Sequence, residues 1–271
     1  MLKSPDRRDF AIFIGHADYE PWAAIVRNGP IQTWFKNEID NVYYVSGKKS
    51  NSIIRGLDTA FWNAKWHPKF GRTAVAIEFI LQKTLKSYRP KHKLTILEGT
   101  QKKLIEFQMP DLNILYCHKT INLLHQSLAF EWKHYVSVTS SSYINIKALE
   151  NVIARLPKTN CVAGRIMRQG SNLFPCGTFR IFSRDVVELI VENREKYPLY
   201  LPEDLALGKL IVDLNFEQIE LASLDLPNLE TLESYTFQEL AAIPHFRCKS
   251  GTHKARQDVD IILKLHSRLA E

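Results

Sequence analysis

The chain has 271 residues, 45% of them hydrophobic and 24% charged, an ordinary globular balance with room for one large α/β domain or two small ones. No low-complexity tract occurs and Gly and Pro are sparse, which argues against long disorder. No run of about 18 apolar residues offers a membrane-spanning helix. The formal charge of +7 points to anionic partners, among them sugar nucleotides, phospholipid headgroups and nucleic acid; a solvated basic surface is the plainer alternative, because the short clusters are only Lys48-Lys49 and Lys91-His92-Lys93.

The N-terminal stretch Met1–Asp9 is rich in charge, and the apolar run Phe10–Ile14 is too short for a signal peptide and suits a first strand. Cys117, Cys161, Cys176 and Cys248 show no CxxC or zinc-like spacing, so free thiols in a reducing cytosol are expected, with a Cys161–Cys176 bridge left open. The expected location is cytoplasmic, with peripheral contact at the inner face of a membrane as an added option.

In chain order, Phe10–Ile14 is read as a buried strand with Gly15-His16 as its exit. Pro21–Trp34 is helical in its first half and broken at Asn28-Gly29-Pro30, and Val42–Val45 is a second strand ended by Ser46-Gly47. Strand, helix, strand at this spacing predicts a βαβ unit and hence a parallel sheet. Residues 48–69 are irregular and aromatic, with Phe61, Trp62 and Trp66 and then Phe70, read either as an insertion facing an acceptor or as core. Ala74–Leu85 is a buried helix, Leu94–Leu97 a strand, and Ile105–Met109 with Leu112–Leu115 another extended stretch. Lys119–Phe130 is an amphipathic helix whose Lys119, near backbone donors, is either a solvated cation or a phosphate ligand.

Tyr135–Val138 alternates as a short strand and stops at four hydroxyls, Thr139, Ser140, Ser141 and Ser142. Ile146, Leu149, Val152, Ile153 and Leu156 then share one helical face. The cluster is either a turn that caps this helix through Asn145, or a ligand site at the carboxyl end of a strand. Beyond it, Cys161–Arg165 reads as a strand, Phe174–Ser183 as a Gly turn and a strand, and Asp185–Glu192 as a helix with Ser183 as N-cap. Pro202-Glu203-Asp204 opens a helix over Leu205–Ile211; its two carboxylates either complement the helix dipole or supply a general base. His245, Arg247 and Lys249 alternate along an extended segment, as a diphosphate clamp or as a solvated edge, and Arg256–Leu269 is a closing amphipathic helix.

The order of these motifs resembles the GT-A-fold glycosyltransferases of the fringe and β1,3-galactosyltransferase type. Thr33-Trp34, the strand Val42–Gly47, Lys119-Thr120, Tyr143-Ile144-Asn145, Phe174-Pro175 with Gly177, Ser183-Arg184-Asp185-Val186, and Glu203-Asp204-Leu-Ala-Leu-Gly208 carry it, from about Ile12 to Gly208. The resemblance implies a single α/β domain with a mostly parallel central sheet flanked by helices, residues 10–135 forming the nucleotide-binding half and 136–271 the acceptor and catalytic half. It implies an acidic triplet for a divalent metal, and here Thr139, Ser140 and Ser141 occupy those positions. Hydroxyls are poor ligands for hard cations beside carboxylates, so no metal or other cofactor is expected.

The resemblance thus implies a metal-independent, inverting transferase of surface polysaccharide synthesis, taking a nucleotide-sugar donor and a glycan or lipid-linked glycan acceptor. Asp204 is the expected base with Glu203 as fallback. Lys119, Thr139, Ser140, Ser141, His245, Arg247 and Lys249 hold the donor; Gly177, Trp62 and Trp66 lie on the acceptor side. The alternative is a non-catalytic carbohydrate- or nucleotide-binding module. A nucleic-acid partner, suggested by charge alone, has no zinc-finger, RNP-like or helix-turn-helix signature behind it and is not expected.

Overall fold

The structure, a computed structural model, describes residues 9–15, 20–36, 41–48, 52–65, 73, 76, 80, 90–97, 102–112, 115–169, 172–199, 201–251 and 256–270. In chain order its strands are β1 (Phe10–Gly15), β2 (Val42–Lys48), β3 (His92–Ile96), β4 (Lys103–Pro110), β5 (His134–Thr139), β6 (Ser142–Ile144), β7 (Val162–Gln169), β8 (Asn172–Ser183), β9 (Gln218–Glu220), β10 (Ser223–Asp225) and β11 (His245–Arg247). Its α-helices with defined bounds are α1 (Trp22–Asn28), α2 (Ser52–Lys65), α3 (Tyr116–Ser127), α4 (Ile146–Ile153), α5 (Arg184–Glu192), α6 (Glu203–Asp213), α7 (Leu229–Glu233), α8 (Phe237–Ala241) and α9 (Asp258–Ala270).

The fold is α/β, with an eight-stranded sheet in the order β3-β4-β2-β1-β5-β8-β7-β9. The neighbouring strands β4, β2, β1 and β5 are parallel, as the βαβ spacing predicts, whereas β3, β8 and β7 join through antiparallel pairings. The central strands are apolar on both faces because both are covered. Ile12 and Ile14 of β1, Val136 and Val138 of β5, and Phe179 and Ile181 of β8 share one core with Leu149 of α4 and Ile262 of α9. Phe13, Tyr43, Tyr135 and Phe182 point the other way, onto Leu124 of α3, Val186 of α5 and Leu207 of α6.

Leaving β1, the chain builds toward β2 and β4 and then crosses back to place β5 on β1's other side. Right-handed crossovers in opposite directions put α1 and α3 on opposite faces, so the chain's direction switches between β1 and β5. Gly15 and Thr139, register partners, mark the carboxyl edge at that switch, where α/β sheets leave a crevice for ligands.

Several expectations are corrected. Residues 172–183 form one strand without a turn at Gly177, paired with β7 through a bulge at Gly164, where φ is +143° and a Cβ would lie 2.4 Å from the Phe179 carbonyl oxygen. Leu112 and Leu115 are not in a strand; Leu115 leads into α3, which begins at Tyr116, three residues before Lys119. Asn145 does cap α4, accepting from the Ala148 amide at 3.2 Å, but β6 intervenes between the hydroxyl turn and that cap. Ser183 precedes α5 without capping it; its hydroxyl instead accepts from the Cys161 amide at 2.9 Å. Cys161 and Cys176 are free thiols. Of Ala74–Leu85, only Ala76 and Ile80 are described, and both are helical and exposed rather than buried.

Candidate active site

The hydroxyl turn lies at the carboxyl end of β5, directly at the β1/β5 switch. Thr139 Oγ1 and Ser142 Oγ are 3.1 Å apart, and Ser140 and Ser141 are buried. β11 pairs antiparallel with β6, setting Arg247 opposite Ser142, and the Cys248 amide donates to the Ser141 carbonyl at 2.8 Å. The C-terminal basic segment is therefore laid against the turn, about 100 residues away in sequence, by sheet pairing. Trp34, of the Thr33-Trp34 pair, donates from its indole to the Ser142 carbonyl at 3.2 Å and closes the other side.

Arg256 joins this turn and was not singled out by the sequence. Its Nη2 donates to Ser141 Oγ at 3.0 Å, its guanidinium lies 4.4 Å from the centre of the Trp22 ring, and it pairs with the fully buried Asp258. Asp258 in turn accepts from the amide and hydroxyl of Ser250 at 3.0 and 2.9 Å. Arg256 Nη1 is buried and has no hydrogen-bond partner among the described residues. Lys249 is held below the usual lysine range, first by partial burial and then by the charges of Arg247 and Arg256. That mutual repulsion marks a cationic pole which an anion would relieve.

His245 does not add to that charge. Its ring is fully buried and stacked on Phe179, with centroids 4.6 Å apart, Nδ1 lies 2.7 Å from Ser223 Oγ, and Nε2 lies 3.0 Å from Ser142 Oγ. Burial, helped by Arg165, lowers its pKa to about 3, so the imidazole is neutral and braces the turn rather than clamping a diphosphate. The unfolded chain binds a proton at this site below about pH 6.5 that the folded chain refuses until about pH 3. Stability is therefore expected to fall as pH drops through that window, and His245→Gln to flatten the fall in thermal unfolding measured against pH. An unchanged slope in the variant would show that another group titrates.

The second pole lies on the opposite face of the same sheet region. Arg180 of β8, set opposite Ser137 of β5, pairs with Glu203 at the start of α6 at 2.6 Å, with both side chains nearly dry at 4% and 6% exposure. Tyr197 donates to the Glu203 carbonyl at 3.3 Å. Gly177 makes room for the pair: a Cβ there would stand 3.2 Å from Glu203 Oε2. Asp204 is half-buried, takes the Leu205 amide at 3.0 Å, and has its pKa raised by desolvation and then by the neighbouring Glu203 charge. Tyr116 of α3 links this pole to the switch. Its phenol feels Glu203, Arg180, Asp111 and Asp204, and its oxygen would lie 3.5 Å from a Cβ on Gly15. Gly208 lets α6 approach β8, since a Cβ there would be 2.2 Å from Phe174 Cβ. That close approach fixes where the acidic pair stands.

Lys119 is buried and bonded to Asp111 at 2.7 Å, so its charge is already matched by a protein carboxylate. Trp62 falls in α2, where its side chain is not among those described, and Trp66 is outside the described residues. Among the described residues, no three His, Cys, Asp or Glu side chains converge as a metal-binding group.

No family model and no curated protein sequence matches the chain. Among solved structures it is similar to a glycosyltransferase involved in the glycosylation of the major capsid of PBCV-1, at 9% identity and TM-score 0.43, covering 94% of this chain and 99% of that one. It is also similar to 4-diphosphocytidyl-2C-methyl-D-erythritol synthase from Anaerococcus prevotii DSM 20548, at 10% identity and TM-score 0.41, covering 98% and 100%.

Arg180 and Arg256 are the residues that reading the sequence missed. Arg180 carried a signal: it lies among Phe179, Ile181 and Phe182 on a strand apolar on both faces, where a cation needs a partner. Arg256 carried none, because only the return of the C-terminal segment onto β6 brings it to Ser141.

Proposed function

We propose that the chain is an inverting glycosyltransferase that moves a sugar from a nucleotide-sugar donor to a hydroxyl of a glycan or glycolipid acceptor, without a divalent metal, in surface polysaccharide synthesis. One observation carries the reading. A cationic hydroxyl turn and a half-buried carboxylate of raised pKa lie around the carboxyl edge where the sheet switches direction. The donor diphosphate sits at Ser140 and Ser141, with Arg247 and Lys249 balancing the charge that a metal would otherwise balance and Arg256, whose own charge is matched by Asp258, offering its unpartnered Nη1 as a hydrogen-bond donor. Asp204 takes the proton from the acceptor hydroxyl while that oxygen bonds to the anomeric carbon. The bond from that carbon to the diphosphate oxygen breaks, and the nucleoside diphosphate leaves with the electron pair.

Calorimetric titration with a panel of sugar nucleotides, first with EDTA and then with manganese, tests this. Expected is binding indifferent to metal and weakened about tenfold or more in Lys249→Ala and Arg256→Lys, since loss of one charge-assisted hydrogen bond is worth about 1.5–3 kcal/mol. Binding that requires manganese would overturn metal independence. No binding by a folded chain would favour a carbohydrate-binding module, which glycan titration then checks.

A further inference from the structure

Opposite Gly164, strand β8 carries more chain than its partner. From Pro175 to Arg180 it advances five residues while β7 advances two, from Gly164 to Ile166. A bulge re-aims the residues inside it, and here the missing side chain of Gly177 faces the Arg180–Glu203 ion pair. A Cβ there would stand 3.2 Å from Glu203 Oε2 and 4.0 Å from Arg180 Nη1. Among the described residues nothing else beyond its chain neighbours would lie within 4 Å. The glycine therefore leaves a small recess walled by one carboxylate oxygen and one guanidinium nitrogen. Gly177 and Asp204 are both half-buried, so the recess opens to solvent near the carboxylate assigned as base.

The ion pair leaves hydrogen-bonding capacity on both walls. Glu203 accepts from Arg180 Nη2 through Oε1 at 2.6 Å, with Oε2 turned toward Gly177. The Arg180 side chain is 4% exposed, yet Nη1 and Nε are buried with no hydrogen-bond partner among the described residues. Buried donors left unmatched are costly, so an occupant that accepts from Nη1 is favoured. The walls also select its chemistry. A carboxylate or phosphate would be repelled by Glu203 and Asp204, and an ammonium by Arg180. A hydroxyl both donates and accepts, so it satisfies Oε2 and Nη1 together. Asp204, the next residue of α6, is a second carboxylate. Two adjacent carboxylates with an arginine donor match two neighbouring hydroxyls, which sugars carry and simple alcohols lack.

We propose that the Gly177 recess is a hydroxyl subsite for a sugar, whose hydroxyl donates to Glu203 Oε2 and accepts from Arg180 Nη1. In the proposed transfer this is a second hydroxyl of the acceptor, next to the one that Asp204 deprotonates. That placement rests on the transferase reading, whereas the subsite itself is measured by sugar binding alone.

The test is saturation-transfer NMR of the full chain with methyl glycosides of glucose, galactose, mannose and N-acetylglucosamine, and with the monodeoxy analogues of each, in the absence of any sugar nucleotide. At least one glycoside is expected to bind, about tenfold or more tightly than the analogue lacking one particular hydroxyl, because that analogue leaves both walls unpaired. Gly177→Ala fills the recess. Its φ lies outside the left-handed region and the nearest contact is the end of a side chain, so the fold is expected to persist. Arg180→Lys keeps a cation opposite Glu203 and removes the uncommitted guanidinium donors. In both variants, checked by thermal unfolding, the glycoside should bind as weakly as its deoxy analogue. No glycoside binding by the native chain, or a deoxy effect that persists in either folded variant, overturns the subsite. The expected sugar binding in a chain that binds no sugar nucleotide keeps the subsite and removes the transferase reading; sugar-nucleotide binding without it does the reverse.

Discussion

Asp204→Asn is expected to keep donor affinity while transferring sugar about 10²–10⁴-fold more slowly, the usual contribution of a positioned general base. The amide matches the carboxyl in size and still accepts from the Leu205 amide through its oxygen, so α6 should start as before. What it lacks is a lone pair basic enough to take the acceptor proton. The raised pKa fixes the sign of the pH dependence. Desolvation and the Glu203 charge favour protonated Asp204, so the native rate should climb as pH rises through a value above that of an ordinary aspartate. In the unliganded protein that acidic limb is read from kcat/KM, and it should vanish with the residual activity of the variant. Full activity in Asp204→Asn would remove this residue as the base. Glu203 would be an awkward successor, since its carboxylate is closed in the ion pair with Arg180.

Arg180→Met and Glu203→Gln are each expected to destabilise the fold by about 3–5 kcal/mol, measured by urea unfolding. The reason is asymmetric. A buried pair at 2.6 Å balances two desolvated charges, whereas removing one leaves the other in an apolar layer beside Phe182 and Leu207. Against a typical total of about 5–15 kcal/mol, that loss is large. The double variant Arg180→Met/Glu203→Met should recover most of it, because two apolar side chains of similar length leave no charge unpaired. Its transfer rate should stay low even so, as Arg180 and Glu203 hold the start of α6 against β8. Single variants as stable as the native chain would mean that the pair is solvated in solution. A double variant with native activity would mean that Asp204 needs no such support.

How much was legible beforehand differs along the chain. The first half of the sheet was readable because its signals are local: Phe10–Ile14 and Val42–Val45 are short apolar runs between turn residues, and the βαβ spacing implies parallel pairing. The Glu203–Asp204 helix start was readable for the same reason. The continuity of β8 through Gly177 was not, since Gly reads as a turn unless a neighbouring strand holds it extended, as β7 does here. His245 looked like a member of a clamp because alternation reports which residues share a side, and says nothing about whether that side meets water or Phe179.

The sequence by itself determined the α/β class, the hydroxyl turn after β5 and the carboxylate pair at α6, all properties of neighbouring residues. Only the tertiary structure decided which cations reach the turn. It neutralised His245, tied Lys119 to Asp111, engaged Glu203 with Arg180 and brought Arg256 to Ser141. Each of those outcomes depends on burial and on partners far away in the chain, and charge in a protein is set by what surrounds a group more than by what precedes it.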